Sequence, residues 1–249
     1  MSLRILSYNI HRGFSATSRK YVLEEIRVQI NNLEPEIIFL QEVLGDHLRH
    51  SELIPTSLSS SQIDYLADTV CSHHAYGKNR TFASGHMGNA ILSKYPILSS
   101  SNLDVSTNKF EKRGILHVTI DWPGYAVPLH CICVHLNLTG RGRKVQLQML
   151  CDKLISEVPL SEPVIIAGDF NDWAASASSV LFENLGVHEV FKVMHGKHAG
   201  TYPAKVPFLR LDRIYCRYFE AKHLAVHSKG PWKNLSDHSA LSAELELSK

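Results

Sequence analysis

Two segments of this chain follow one plan. Glu34-Pro35-Glu36-Ile37-Ile38-Phe39-Leu40-Gln41-Glu42 and Glu162-Pro163-Val164-Ile165-Ile166-Ala167-Gly168-Asp169 each come after a stretch of helical periodicity. In each, the proline stops the helix and sets an extended start. Each continues as an apolar run, the pattern of a buried strand, and each ends in a carboxylate. Such strands hide their side chains, so the groups just past their ends stand at the rim of a sheet. Two ordinary strand exits would account for the likeness. An internal duplication, with Glu42 and Asp169 at related sheet ends, is the sharper reading.

Other strand patterns end in the same kind of residue. Segment 3–8 reaches Asn9-Ile10-His11, and segment 127–134 reaches His135-Leu136-Asn137. Leu209-Arg210-Leu211 leads to Asp212-Arg213, and Ser236-Asp237-His238 stands before the final apolar run 240–245. After Val164-Ile165-Ile166-Ala167, Gly168 allows a sharp turn or a close approach before Asp169-Phe170-Asn171. A sheet protein brings such edges together, so these residues can converge.

The chain has 249 residues, 44% of them hydrophobic, and no linker, low-complexity tract or composition shift. A single domain over 1–249 is expected. Segment 51–61 is Ser-rich and reads as a surface loop. No secretory signal is visible at the N-terminus, and no apolar stretch is long enough to span a bilayer. The five cysteines are odd in number. Cys131 and Cys133 fall on one face of one strand and are poorly placed to pair. A reduced, cytoplasmic setting and a monomer are expected. Most of the histidines, such as His73, His74, His195 and His198, lack metal-ligand spacing and read as surface or packing residues.

Net charge is +2, from 26 basic and 24 acidic residues, which is not the mark of a strong nucleic-acid binder. Arg141-Gly142-Arg143-Lys144 opens a helix and reads as a solvated face. Arg113 differs: it precedes the strand Ile115-Leu116-His117-Val118 and so lies at a sheet edge, where it suits a phosphate.

Helical periodicity covers about 21–33 and 144–158, with shorter helices near 62–70 and 176–185. Segments 113–122 and 126–135 form a hairpin turning at Pro123-Gly124. Gly88-Asn89 reads as a turn. Helices interrupt a strand-rich chain, which predicts an α+β fold with two sheets face to face and helices outside.

Carboxylates with neutral oxygen ligands suit a hard cation, Mg²⁺ or Mn²⁺. Zinc spacing, a phosphate-binding glycine loop, a dinucleotide fingerprint and a nucleophile elbow are all missing. His238, with Asp237 beside it and Asp212 as partner, has the make-up of a carboxylate-oriented base. A metal, a base and fixed donors are what phosphate-ester hydrolysis needs.

Taken together, Tyr8-Asn9-Ile10-His11, Leu40-Gln41-Glu42-Val43, Gly88-Asn89-Ala90-Ile91-Leu92-Ser93, Lys112-Arg113-Gly114, His135-Leu136, Gly168-Asp169-Phe170-Asn171, Leu211-Asp212-Arg213-Ile214 and Ser236-Asp237-His238 resemble the endonuclease/exonuclease/phosphatase superfamily. The nearest likeness is to small bacterial members encoded near cardiolipin synthases. The resemblance implies a deoxyribonuclease I-like αββα sandwich of two mixed sheets, with a divalent metal at the rim. It implies Glu42 as main metal ligand, helped by Asn9 and Asp237. Asp169 and Asn171 would position or activate water, with Asn171 also binding phosphate oxygens. Asp212 would orient His238, and either Asp169 or His238 would be the base. His135 would donate to phosphate or assist the leaving group, and Arg113 would bind phosphate.

His11 replaces an acid that the apurinic-endonuclease branch often carries, and Leu211 to Tyr215 with Asp172-Trp173 departs from the inositol-polyphosphate phosphatase pattern. The leading expectation is a Mg²⁺- or Mn²⁺-dependent phosphodiesterase acting on nucleic acid. The alternative is a sphingomyelinase-like enzyme acting on a phospholipid headgroup or small molecule, to which Phe14, Phe82, Trp173, Trp232 or segment 206–209 would present apolar contacts. Packing of the rim is the expected task of Trp173 and Trp232. The intact set of acids, amides and histidines argues against a non-catalytic binding module.

Overall fold

The computed structural model of the chain describes residues 2–47, 61–83 and 85–248. The Ser-rich segment lies almost wholly outside them. Twelve strands form two six-stranded sheets among the described residues. In the first, β1 (Ser2–Asn9), β2 (Ile37–His47), β3 (His73–Phe82), β4 (Gly85–Ser93), β11 (Phe219–His227) and β12 (Ala240–Leu247) lie in the order β11-β12-β1-β2-β4-β3. In the second, β5 (Ile97–Asp104), β6 (Gly114–Ile120), β7 (Leu129–His135), β8 (Val164–Asp169), β9 (His188–Glu189) and β10 (Asp212–Arg217) lie in the order β5-β6-β7-β8-β10-β9.

The two orders are built alike. Each sheet has one parallel pair at its centre, β1 with β2 and β7 with β8, joined by a helix. Each pair is flanked on both sides by antiparallel strands. The repeated Glu-Pro segments supply β2 and β8, the corresponding strands of the two halves. The likeness read from sequence is therefore a likeness of topology.

Helix α1 (Leu23–Leu33) buries Ile26 and Ile30 and stops where Glu34 turns left-handed before Pro35. Helix α2 (Gln62–Val70) starts on Ser61, whose side chain caps the Asp64 amide. Helix α3 (Gly140–Glu157) starts on Thr139, whose hydroxyl caps Gly142. This start lies upstream of the expected one because Gly140 to Arg143 continue the helix. Helix α4 (Ala177–Leu185) closes on Gly186, and a short helix, α5 (Val190–His195), follows β9. Gly88 and Asn89 lie within β4 rather than in a turn. The backbone of β3 runs close by there: a Cβ at Gly88 would stand 1.9 Å from the Gly77 carbonyl oxygen.

Three apolar layers result. The middle one, with Phe39, Ile91, Cys131, Cys133 and Ile165, lies between the sheets. One outer layer packs α1 and α2 on the first sheet through Ile26, Ile30 and Leu66. The other packs α3 and α4 on the second through Leu147, Leu150 and Leu181. All five cysteines are buried and unpaired, as expected of Cys131 and Cys133. No helix among the described residues is long and apolar enough to cross a membrane.

Candidate active site

Both sheets deliver residues to one end of the sandwich. β7 and β8 run parallel and finish side by side, with His135 in register with Asp169. β10 runs the other way, so its first residue, Asp212, also stands in register with Asp169. Sequence patterning placed Asp212 after a strand; it opens one, and antiparallel pairing brings it to the same edge. Asn9 ends β1 in the other sheet, in register with Gln41 and beside Glu42.

The side chains converge on Asp169. Its Oδ2 accepts from Asn9 Nδ2 at 3.2 Å and lies 3.4 Å from His135 Nε2 and 3.8 Å from His238 Nε2. Its Oδ1 accepts the Asn171 amide at 3.0 Å. His238 Nδ1 lies 2.9 Å from Asp212 Oδ2. The Ser236 hydroxyl donates to the Asn9 carbonyl at 2.7 Å and accepts the His238 amide at 3.2 Å, which fixes the approach of His238. The Tyr202 ring backs the imidazole at 5.0 Å between centroids. Asn171 adopts a left-handed backbone (φ 50°) and donates through Nδ2 to the Leu136 carbonyl at 2.9 Å, tying two rim loops together. Gly168 is required at its place: its φ is +144°, and a Cβ would stand 2.0 Å from the Val134 carbonyl oxygen.

Burial sets the charges. Asp169 is only 2% exposed, and burial pushes its carboxyl up to about 6, against the pull of the His238 charge and with help from Asp212. Burial disfavours the His238 imidazolium, but the Asp212 and Asp169 carboxylates outweigh it and push the ring up to about 10. His135 is held well below the usual histidine range by burial, with Arg113 and His238 adding like charge. Near neutral pH the centre therefore holds a charged His238, a neutral His135 and an ionised Asp169 close to its titration.

Glu42 and Asp237 face a different pair of residues. Glu42 sits at an irregularity in the β2–β4 ladder with a left-handed backbone (φ 57°), and its Oε2 lies 3.8 Å from Arg12 Nε. Asp237 Oδ1 lies 3.8 Å from His11 Nδ1. The donor chemistry suits a hard cation: partly exposed carboxylates at Glu42 and Asp237, and a neutral amide oxygen at Asn9, which also accepts the His11 amide at 3.1 Å. Asp169, Asp212 and His238 form a second, buried group whose ligand atoms lie within 4.8 Å of one another. The second oxygen of Asp212 is buried with no hydrogen-bond partner.

Arg113 is engaged by its own loops: Nε donates to the Leu136 carbonyl at 3.1 Å, and Nη2 pairs with Glu111 at 2.8 Å. Arg143 is buried rather than solvated. It donates to the Asn137 and Leu138 carbonyls at 3.1 and 2.7 Å and lies under Trp173, 4.9 Å from its ring centroid. Trp173 is 54% exposed at the rim, whereas Trp232 is buried in the outer apolar layer with α1 and α2 rather than at the rim.

Two amides inside the recognised motifs have a task that sequence patterning did not assign. Gln41 Nε2 donates to Cys133 Sγ at 3.2 Å, and Asn89 Nδ2 donates to the Gly114 and Cys133 carbonyls at 2.9 and 3.3 Å. All three bonds run from one sheet to the other. The signal was a polar residue inside an otherwise apolar run.

These elements define a phosphoesterase fold of two sheets with an acid, amide and histidine centre at their shared edge. The chain belongs to the Endonuclease/Exonuclease/phosphatase family, whose model matches residues 6–238. It is 42% identical over 246 residues to the uncharacterised protein YbhP of Escherichia coli, covering 99% of this chain and 97% of that one. An endonuclease/exonuclease/phosphatase structure from Beutenbergia cavernae superposes with a TM-score of 0.76 at 18% identity, over 99% of this chain and 72% of that one. D. rerio TDP2 complexed with a single-strand DNA product superposes at 0.73 with 21% identity, over 98% and 99% of the two chains. A mannosyl-6-phosphatase of Bacteroides thetaiotaomicron superposes at 0.73 with 15% identity, over 98% and 100%. At these identities the structural likeness speaks for the fold.

Proposed function

We propose that the protein is a divalent-metal-dependent phosphodiesterase. The observation that carries this reading is the convergence of Asn9, His135 and His238 on one Asp169 oxygen, with His238 held on its far side by Asp212. Asp169 is the base in this reading: it is ionised at neutral pH yet holds a proton readily, which suits removal of a proton from water. His238 stays charged and faces the developing negative charge on the phosphate. His135 is a neutral donor to a non-bridging oxygen or the leaving group. Asn171 holds the loop that positions Asp169 and contributes to phosphate binding. Arg113, already paired with Glu111, acts on phosphate through its charge. Glu42, Asn9 and Asp237 are the residues that would hold Mg²⁺ or Mn²⁺, which supplies neutralisation of the phosphate and of the leaving oxygen.

The arrangement of charge favours nucleic acid as the substrate. The small net charge is unevenly distributed. Connection 196–211, at the site end, carries Lys197, Lys205 and Arg210 and no carboxylate. Connection 10–22 carries Arg12, Arg19 and Lys20 and again no carboxylate. Arg12 is paired with Glu42 and Lys20 with Glu25, so the attraction for a phosphate backbone falls to Arg19, Lys197, Lys205 and Arg210. A lipid headgroup is the second reading, favoured by Phe110, Leu138, Trp173, Val206 and Phe208, all more than half exposed on connections at the same end.

The test is turnover of bis-p-nitrophenyl phosphate with Mg²⁺ or Mn²⁺, and its loss with a chelator. Undiminished turnover in both Glu42→Ala and His238→Ala would overturn the site. Plasmid DNA, RNA and phospholipid vesicles then separate the substrate classes: cleavage of DNA that weakens steeply with salt supports the first reading, and turnover of lipid alone supports the second.

A further inference from the structure

The turn after β1 is strained, and it is held. His11, Arg12 and Gly13 are consecutively left-handed, with φ of 47°, 60° and 76°. Non-glycine residues adopt this conformation at a cost and persist there when their surroundings dictate it. Here Gln62, buried at the start of α2, dictates it. Its Nε2 donates to the Arg12 carbonyl at 2.7 Å and to the Tyr21 hydroxyl at 3.1 Å, and its Oε1 accepts the Leu44 amide of β2 at 2.8 Å. One side chain thus pins the strained turn to the strand that carries Glu42. The product is the approach of Arg12 Nε to Glu42 Oε2 at 3.8 Å. Arg12 Nε is buried and has no hydrogen-bond partner, so the contact is one of charge and leaves the donor unused. The Arg12 side chain as a whole is 43% exposed and borders the site.

We infer that Arg12 is a coupling residue: it neutralises Glu42 while that carboxylate has no metal, and is released to bind a substrate phosphate once Glu42 holds one. The inference rests on the reading of Glu42 as a metal ligand. Arginine keeps its charge at any working pH, so the exchange involves no proton. Arg12 and the metal are alternatives at Glu42, so Arg12 weakens metal binding. It favours phosphate only after it is displaced, so metal and phosphate bind more tightly together than apart, each raising the affinity of the other by the same factor.

Calorimetry of Mn²⁺ and of inorganic phosphate, separately and together, tests this. In the natural protein, Mn²⁺ is expected to tighten phosphate binding. In Arg12→Gln, Mn²⁺ alone is expected to bind about threefold more tightly, the loss of one competing charge in a partly exposed pair, and its effect on phosphate is expected to shrink by a similar factor. Arg12→Lys, which keeps the charge, is expected to hold Mn²⁺ near its natural affinity. Arg12→Asn, a residue suited to the left-handed backbone, serves if Arg12→Gln fails to fold. Unchanged or weaker Mn²⁺ binding in the neutral variants overturns the inference. Glu42→Gln separates the two readings. If it abolishes Mn²⁺ binding while Arg12→Gln changes nothing, only the coupling fails. If Mn²⁺ binding survives it, the assignment of Glu42 fails and takes the coupling with it.

Discussion

Nδ1 of His238, which precedes the last strand of the first sheet, lies 2.9 Å from Oδ2 of Asp212, which opens a strand of the second. The carboxylate both aims the ring and keeps it charged. In Asp212→Asn the ring loses its strongest charge partner and should titrate well below its present value of about 10, as followed by NMR of the imidazole. Turnover of bis-p-nitrophenyl phosphate should fall by about a hundredfold or more. A ring that still titrates as before would show that Asp169 alone holds the charge.

Asn171 combines a left-handed backbone with a side-chain bond to Leu136. Asn171→Ala should lose both stability, by about 1 kcal/mol for the strained backbone alone, and turnover. Asn171→Gly should relieve the backbone cost while leaving turnover low. Thermal melts and kinetics on the two variants separate the tasks, and full activity in Asn171→Gly would remove the side chain from phosphate binding.

Gly168→Ala places a Cβ against the Val134 carbonyl, a backbone atom that cannot turn aside. The variant should be destabilised by about 3 kcal/mol or more, read as a drop in melting temperature or a failure to accumulate as folded protein. A normal melt would mean that β7 and β8 can move apart without penalty.

His117 and His130 face each other at 2.9 Å beneath α3, and His130 meets Glu162 at 2.5 Å. Burial and the neighbouring His130 charge hold His117 down at about 4, against about 6.5 for the unfolded chain. Between these values the unfolded state binds the proton and the folded state does not. Stability should therefore be fully present above pH 6.5 and fall by about 3 kcal/mol as pH drops towards 4. Denaturant melts across this range should show the fall, and His117→Gln should flatten it.

Much of the centre was legible because strand ends are legible. An apolar run followed by Gly-Asp-Phe-Asn or Gln-Glu marks a rim whatever the rest of the chain does, and Asn9, His135, Asp169, Asn171, Asp212 and His238 do meet. The likeness of the Glu-Pro segments was visible because a proline, a buried strand and a terminal acid leave local marks. What stayed hidden depends on contacts across the fold. Arg143 looked like one more charge on a basic helix start, and only the carbonyls of the preceding loop make it a buried clamp. Asn89 beside Gly88 has the composition of a turn, and its strand conformation is set by pairing with β2 and β3 on either side. Gln62 gave no signal, since a glutamine at a helix start is ordinary and its three bonds go to distant segments.

Asn9, Gln41 and Asn89 each reach from the first sheet to the second, and Asn9 lands on Asp169 itself. The centre therefore doubles as a gauge of how far apart the sheets stand. A larger side chain at Phe39 or Ile165 in the layer between them would be felt as a widened gap at Asn9 and Asp169, even where the protein melted no earlier. Efforts to make this protein sturdier by filling its middle layer should be judged by reaction rate rather than by heat resistance, and the two outer layers offer safer ground.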